Sequence, residues 1–344
     1  MVGNIGIMKS AVQVGLNWWN TWREQSINRR IFSAMLTVGG VTVVVKLAAA
    51  AKEIVVASQF GTSDELDAFL IAFLLPQFAI NLIGGSLNAA LIPTYLQVRE
   101  QEGQGAAQRL LSGVMVLSVG FLVGLSIVLA VTASYVLPLV ASGFSPEKVA
   151  VARSLYYGLL ATLVLSGLAT TWGAVLNAEN RFALPAAAPV ATSILTVLVV
   201  IGIAKQWGGH ALVLGTVGGV LIETTVLGWA LAREGVSLIP RWSGISPAVK
   251  EVLRQYAPMV AAGFLMGGAG VVSQSMATML DSGSVSALAY GNKVTSLIIG
   301  IGAVAVSRAV LPHFSRMVIA MDWDGLRHTL LTYSRWLLIV TLPV

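Results

Sequence analysis

Cysteine is absent from the 344 residues, which excludes disulfides, thiolate metal sites and cysteine nucleophiles. Charge is scarce: Asp, Glu, Lys and Arg make up 10% of the chain, where a soluble globular protein carries about a quarter. Histidine occurs three times, as His210, His313 and His328, each at the end of an apolar run, with no HExxH, GxSxG or nucleotide-binding loop. The connections on the sparsely charged side offer only Asp64, Glu65, Asp67, Glu147 and Asp281 for a paired-carboxylate site, and nothing in their spacing argues for one. The basic residues are spread over many short connections, not clustered on one soluble face, so nucleic-acid binding is not expected. Without an ATP-using module, any uphill transport must draw on an ion gradient or the membrane potential, worth ~2.3 kcal/mol per charge per 100 mV.

What is present is apolar sequence, 56% of all residues, with a mean hydropathy of +0.82. Runs long enough to cross a bilayer recur along nearly the whole chain, and the expected fold is an all-α polytopic transmembrane bundle. Spans are expected over 33–59, 68–96, 110–139, 150–176, 184–204, 210–232, 257–280 and 285–311, with a ninth starting near 328. Residues 1–30 carry Trp18, Trp19 and Trp22 in a polar tract and read as a segment lying on the membrane surface, not as a cleavable signal. The last run, RWLLIVTLPV, stops before it has crossed, so the sequence reads as part of a longer protein.

The connections alternate in charge. One set holds Lys9, Arg23, Arg29, Arg30, Arg99, Arg109, Arg181, Arg233, Arg241, Lys250, Arg254, Arg316 and Arg327, and the other holds Lys148, Arg153 and Lys205. Thirteen against three predicts a cytoplasmic N-terminus. The outer connections FGTSDELD, SGFSPEK, KQWGGH and DSGS are too short for a folded external domain, while the longer link REGVSLIPRWSGISPAVKEVLR is expected to include amphipathic surface helix.

Span one breaks its own apolarity with Lys46, Lys52 and Glu53. A lysine near mid-membrane costs on the order of 3 kcal/mol, so it belongs on a wet interior face. Lys46 and Glu53 stand two helical turns apart on one face, with Lys52 about 100° away. Lys52 with Glu53 is the obvious internal ion pair. With Lys293 in span eight, three lysines outnumber the nearby acid, which favours anion binding. Glu223, the other mid-span carboxylate, either pairs with a lysine of span one or carries a coupling cation or proton. Asn81 and Asn292 are neutral polar groups that face hydroxyls of a ligand or bond between helices, and Pro76, Gly84 and Gly85 mark a bending point in span two. Arg308 and Arg335 are expected to snorkel from span ends.

Two blocks go beyond hydropathy: AAAAKEIVVASQFGTSDELDAFLIAFLLPQF with GGSLNAALIPTYLQ after it, and SGSVSALAYGNKVTSLIIGIGAVAVSRAVLPHFSR. Both resemble the MurJ/MviN family of lipid II flippases, within the superfamily of multidrug, oligosaccharidyl-lipid and polysaccharide exporters, and the likeness runs over residues 30 to 344. It implies two six-helix lobes around a central cavity. Residues 31–232 would form the first lobe, 233–256 a cytoplasmic linker and 257–344 an incomplete second lobe.

The resemblance also implies a bacterial inner-membrane flippase working by alternating access on a polyprenyl-diphosphate-linked saccharide, without a cofactor, with coupling to Na+, H+ or membrane potential. Other envelope-biosynthesis proteins would be its partners. Lys46, Lys52 and Lys293 stand where the family places cavity arginines. Ile80 and Asn81 stand where it has a further arginine pair, and lysine lacks the planar fork that grips phosphate two oxygens at a time. The carried lipid is therefore lipid II or a related glycan. Asp67 matches the acid that opens the family's second helix, as a cap or a gate residue. The other readings are a cation-coupled multidrug antiporter and a non-transporting scaffold for envelope enzymes.

Overall fold

The computed structural model describes residues 39–179, 181–238, 242, 244 and 246–296, and then 323, 325–327, 329–332 and 335, with backbone alone at 83 and 85–89. The expected surface segment 1–30, the start of span one, the rest of span eight with Arg308 and His313, His328 and most of the final run lie outside the described residues. Among the described residues the regular structure is helical throughout, with no strand.

Local signals explain most helix ends. Helix α1 (39–60) stops at Gly61, whose φ of 55° suits a residue without Cβ and whose N–H closes on the Ala57 carbonyl. Ser63 then caps α2 (Asp64–Glu102) by accepting from the Leu66 N–H at 3.4 Å. Helix α2 is continuous through Pro76, Gly84, Gly85 and Pro93, and Gly103 divides it from α3 (Gln104–Val140). Ser145 and Pro146 start α4 (Pro146–Leu159), as Ser246 and Pro247 start α9 (Pro247–Ala277): the hydroxyl takes an orphan N–H, and proline has none to leave unpaired.

Helices α4 and α5 (Ala161–Ala178) meet at Leu160 and form one candidate span, as do α6 (Ala183–Ala187) and α7 (Val190–Trp207). Gly208 turns the chain into α8 (Gly209–Arg233), and α10 (284–296) follows α9 after a short turn. Six spans among the described residues are long and apolar enough to cross a membrane. PAVKEVLR, expected as part of a surface helix, forms the first turns of α9.

The chain divides into two compact units, residues 1–288 and 289–344. In the first, one apolar core joins the second halves of α2, α5 and α8 to the starts of α3 and α9, with Leu91, Leu111, Leu176, Leu231 and Val249 nearly sealed from solvent. A second, smaller core lies at the opposite end around Ile71, Val140, Ala141, Ala277 and Val285. Helices α7 and α8 pack backbone to backbone: a Cβ on Gly215 would lie 2.7 Å from the Thr196 Cα, and one on Gly219 2.4 Å from the Thr192 Cα. Small residues permit such an approach where lipid offers no hydrophobic drive.

Candidate functional site

The densest polar cluster in the first unit is built on Asp67, one turn into α2. Its side chain is 1% exposed. The carboxylate accepts from the Gly283 N–H at 2.9 Å, the Ser286 N–H at 2.8 Å and the Ser286 hydroxyl, and it pairs with the Lys148 ammonium at 2.9 Å. Lys148, near the start of α4, also bonds the Asp64 carboxylate and lies 4.2 Å from the centre of the Phe144 ring. Ser282 donates to Asp64 at 2.6 Å.

Three turns thus converge on one carboxylate: α1–α2, α3–α4 and α9–α10. They approach closely enough to exclude side chains. A Cβ on Gly143 would lie 2.0 Å from the Thr278 carbonyl oxygen, and the Gly143 N–H donates to the Thr278 hydroxyl at 3.3 Å. Gly283 has a φ of 88°, and its Cβ position is 2.7 Å from the Thr62 carbonyl oxygen. The apolar layer of Ile71, Val140, Ala277 and Val285 lies in the same turns and the first turns of the helices they join. The Asp67 charge is tolerated because four donors surround it, two of them N–H groups at the positive start of α10.

This changes the sequence expectation. Asp67 does cap a helix, but the helix is α10; its own is capped by Ser63. Asp67 is also buried. Its partners Lys148 and Ser286, and Ser282 on the neighbouring Asp64, were not among the predicted site residues. Lys148 did stand out in the sequence as one of three bases on the sparsely charged side, opposite the acids of FGTSDELD.

The predicted site residues of α1 lie where the helical period puts them. Lys46 is exposed, about 80° from the apolar stripe of Val43, Leu47 and Ile54 and on the face that also carries Glu53. Lys52 pairs with Glu53 at 2.9 Å, their side chains 28% and 20% exposed. Neither Lys46 nor Lys52 comes within ion-pair distance of Glu223, whose carboxylate instead accepts from the Thr192 hydroxyl at 3.3 Å. In α2, Pro76 is buried, Gly84 lies against Thr170 of α5, and Asn81 accepts from the Gln77 amide at 2.8 Å. In the second unit Asn292 is exposed, and Lys293 stands 5.9 Å from the ring centre of Tyr290.

The opposite end of the first unit is tied differently. Arg99 and Tyr95 of α2 both donate to Glu179 at the end of α5, Arg181 pairs with Glu234 at 3.0 Å, and Gln108 exchanges two hydrogen bonds with Ser237. These ties stay among α2, α3, α5 and the ends of α6 and α8, and none reaches α9 or α10. The Asp67 cluster bonds the start of α10 to α2.

A family profile described as lipid II flippase MurJ matches residues 56–344. The chain belongs to the MurJ family. Among curated relatives, the lipid II flippase MurJ of Burkholderia cenocepacia is 28% identical over 319 residues, covering 88% of this chain and 62% of that protein. The probable lipid II flippase MurJ of Synechocystis is 27% identical over 305 residues, covering 83% and 56%. The chain therefore spans about 56–62% of the length of these two relatives.

Among solved structures, lipid II flippase MurJ in an inward closed conformation superposes with a TM-score of 0.68 at 20% identity, over 84% of this chain and 60% of that one. A MATE transporter of Vibrio cholerae does so at 0.65 and 17%, over 88% and 68%. The fold of this MurJ-family chain is thus the helical exporter fold shared by MurJ and MATE proteins, and the chain is a multi-pass membrane protein.

Proposed function

We propose that this MurJ-family protein is a flippase that carries a polyprenyl-diphosphate-linked saccharide, lipid II or a close relative, from the inner to the outer leaflet of the bacterial cytoplasmic membrane by alternating access. The family match over residues 56–344 carries the reading. The chemistry of the intramembrane charges supports it: Lys46, Lys52 and Lys293 offer cations to a diphosphate, while Glu53 and Glu223 are the mid-span acids. Asn81 and Asn292 are the neutral groups for the saccharide. The Asp67 cluster supports a gate at the outer face, held shut by the clasp and its apolar layer, with Pro76, Gly84 and Gly85 as the places where α2 yields when the clasp opens. Drug antiport finds less support, since cationic drugs call for an excess of carboxylates at the site.

Depletion of the full-length gene product in its own cells tests the reading. Lipid-linked precursor should accumulate on the inner leaflet, and Lys46→Ala and Lys293→Ala proteins, made at normal abundance, should fail to relieve it. Full relief by both variants, or depletion without precursor accumulation, would refute it.

A further inference from the structure

Glu223 is the fifteenth of the 25 residues of α8, close to the middle of a membrane span. Leu214, Leu221 and Thr225 form an exposed stripe on α8, and at 100° per residue Glu223 lies on the opposite side. It faces α7, where the Thr192 hydroxyl donates to its Oε2 at 3.3 Å, one turn from the place where Gly219 lets the two backbones touch. We propose that Glu223 is a proton-binding site built into the α7–α8 pair, and that its loading and release couple proton movement to the transport cycle. The coupling half rests on the flippase reading above; the proton site does not.

Three observations carry the proposal. First, the carboxylate has no counter-charge: among the described residues no Lys, Arg or His side chain comes within 4 Å of it. Second, its surroundings supply none. Helix α5 has no ionisable side chain, and α7 has only Lys205, thirteen residues past Thr192. On α4, Lys148 is held in the clasp, Arg153 is next in sequence to Ser154, whose hydroxyl bonds His210 at the start of α8, and the Tyr156 hydroxyl donates to the Leu129 carbonyl. On α2, Arg99 and Tyr95 are bound to Glu179 at the far end, and Lys52 of α1 is bound to Glu53.

Third, among the described residues Thr192 is its only hydrogen-bond partner, and no group of three or more metal-ligating His, Cys, Asp or Glu side chains exists there. A hard metal cation needs several oxygen ligands, whereas a proton needs one. An uncompensated carboxylate at this depth is costly, and protonation removes that cost. The hydroxyl suits both states: it donates to the carboxylate, and after rotation it accepts from the carboxylic acid.

Dicyclohexylcarbodiimide, which modifies protonated carboxyls in apolar surroundings, provides the test. The full chain in lipid nanodiscs is treated across about pH 5 to 9, and adducts are located by peptide mass mapping. The adduct on Glu223 should fall about tenfold per pH unit above its midpoint. Glu223→Gln should remove that adduct while leaving any on Glu53. Thr192→Val should move the midpoint and Thr192→Ser should leave it in place. No adduct at any pH, a flat profile, or an unmoved midpoint in Thr192→Val overturns the site. This readout needs no transport, so it survives a failure of the flippase reading. A Glu223→Gln protein that flips precursor with the parent pH dependence overturns the coupling alone.

Discussion

At the scale of single residues, Asp67 shows how a charge persists where burial should forbid it. Four donors reach its two oxygens, and they come from elements far apart in sequence. Asn in its place keeps the shape but replaces one acceptor oxygen by a donor group that faces N–H groups or the Lys148 ammonium. Removing one member of a buried pair costs about 3–5 kcal/mol. Lys148 is 12% exposed and keeps Asp64, so we expect about 2 kcal/mol, roughly a 30-fold rise in the opened population. The chain has no native cysteine, so one reporter thiol has no background. Val285→Cys, 1% exposed in the layer at the clasp, should react with a small thiol reagent about 30-fold faster when combined with Asp67→Asn. Ser286→Ala, which removes one hydroxyl donor, should give about a fivefold rise. Equal labelling rates in all three proteins would mean that the cluster does not hold this end shut.

At the scale of elements, the turn between α3 and α4 is fixed by an approach that only glycine allows. Gly143→Ala would place a methyl 2.0 Å from the Thr278 carbonyl, against backbone that cannot swing aside as a side chain could. The α3–α4 turn and the end of α9 must separate, at a cost of about 1–3 kcal/mol. The Val285→Cys reporter should register this as it registers Asp67→Asn, although no charge has changed. A substitution at an equally exposed turn, Gly235→Asn, keeps a residue tolerant of its φ of 76° and should leave the reporter unmoved.

The elements themselves were readable in the sequence, because their signals are local. Apolar runs set the spans, Ser-Pro pairs at 145–146 and 246–247 set two helix starts, and glycines at 61, 103 and 208 set three turns. The division of α4 from α5 at Leu160 has no such mark, since neither Gly nor Pro stands there. The clasp was only half readable. Asp67 could be singled out by its match to the acid that opens the family's second helix, but Lys148 is 81 residues away and Gly283 and Ser286 are 216 and 219 away. Hydropathy carries no information about which turns meet across such distances. The same limit applies to Glu223: its depth followed from the pattern, its Thr192 partner on the preceding helix did not.

At the scale of the whole molecule, both ends of the first unit are held by ion pairs, but their connections differ in how many cations they carry, and this bears on direction. One end places Arg99 and Arg181 among acids of neighbouring helices, inside the set of connections that holds thirteen of the sixteen loop cations; the other places Lys148 and Lys205 beside Asp64, Asp67 and Glu65. Basic connections are retained in the cytoplasm during insertion, so the clasp end should face outward. Single thiols decide the matter. Gln206 on the clasp side and Gln101 on the basic side are both exposed, and neither is in the clasp. A membrane-impermeant maleimide added to intact spheroplasts should modify Gln206→Cys and leave Gln101→Cys untouched until the membrane is permeabilised. The reverse pattern would put the clasp on the cytoplasmic side.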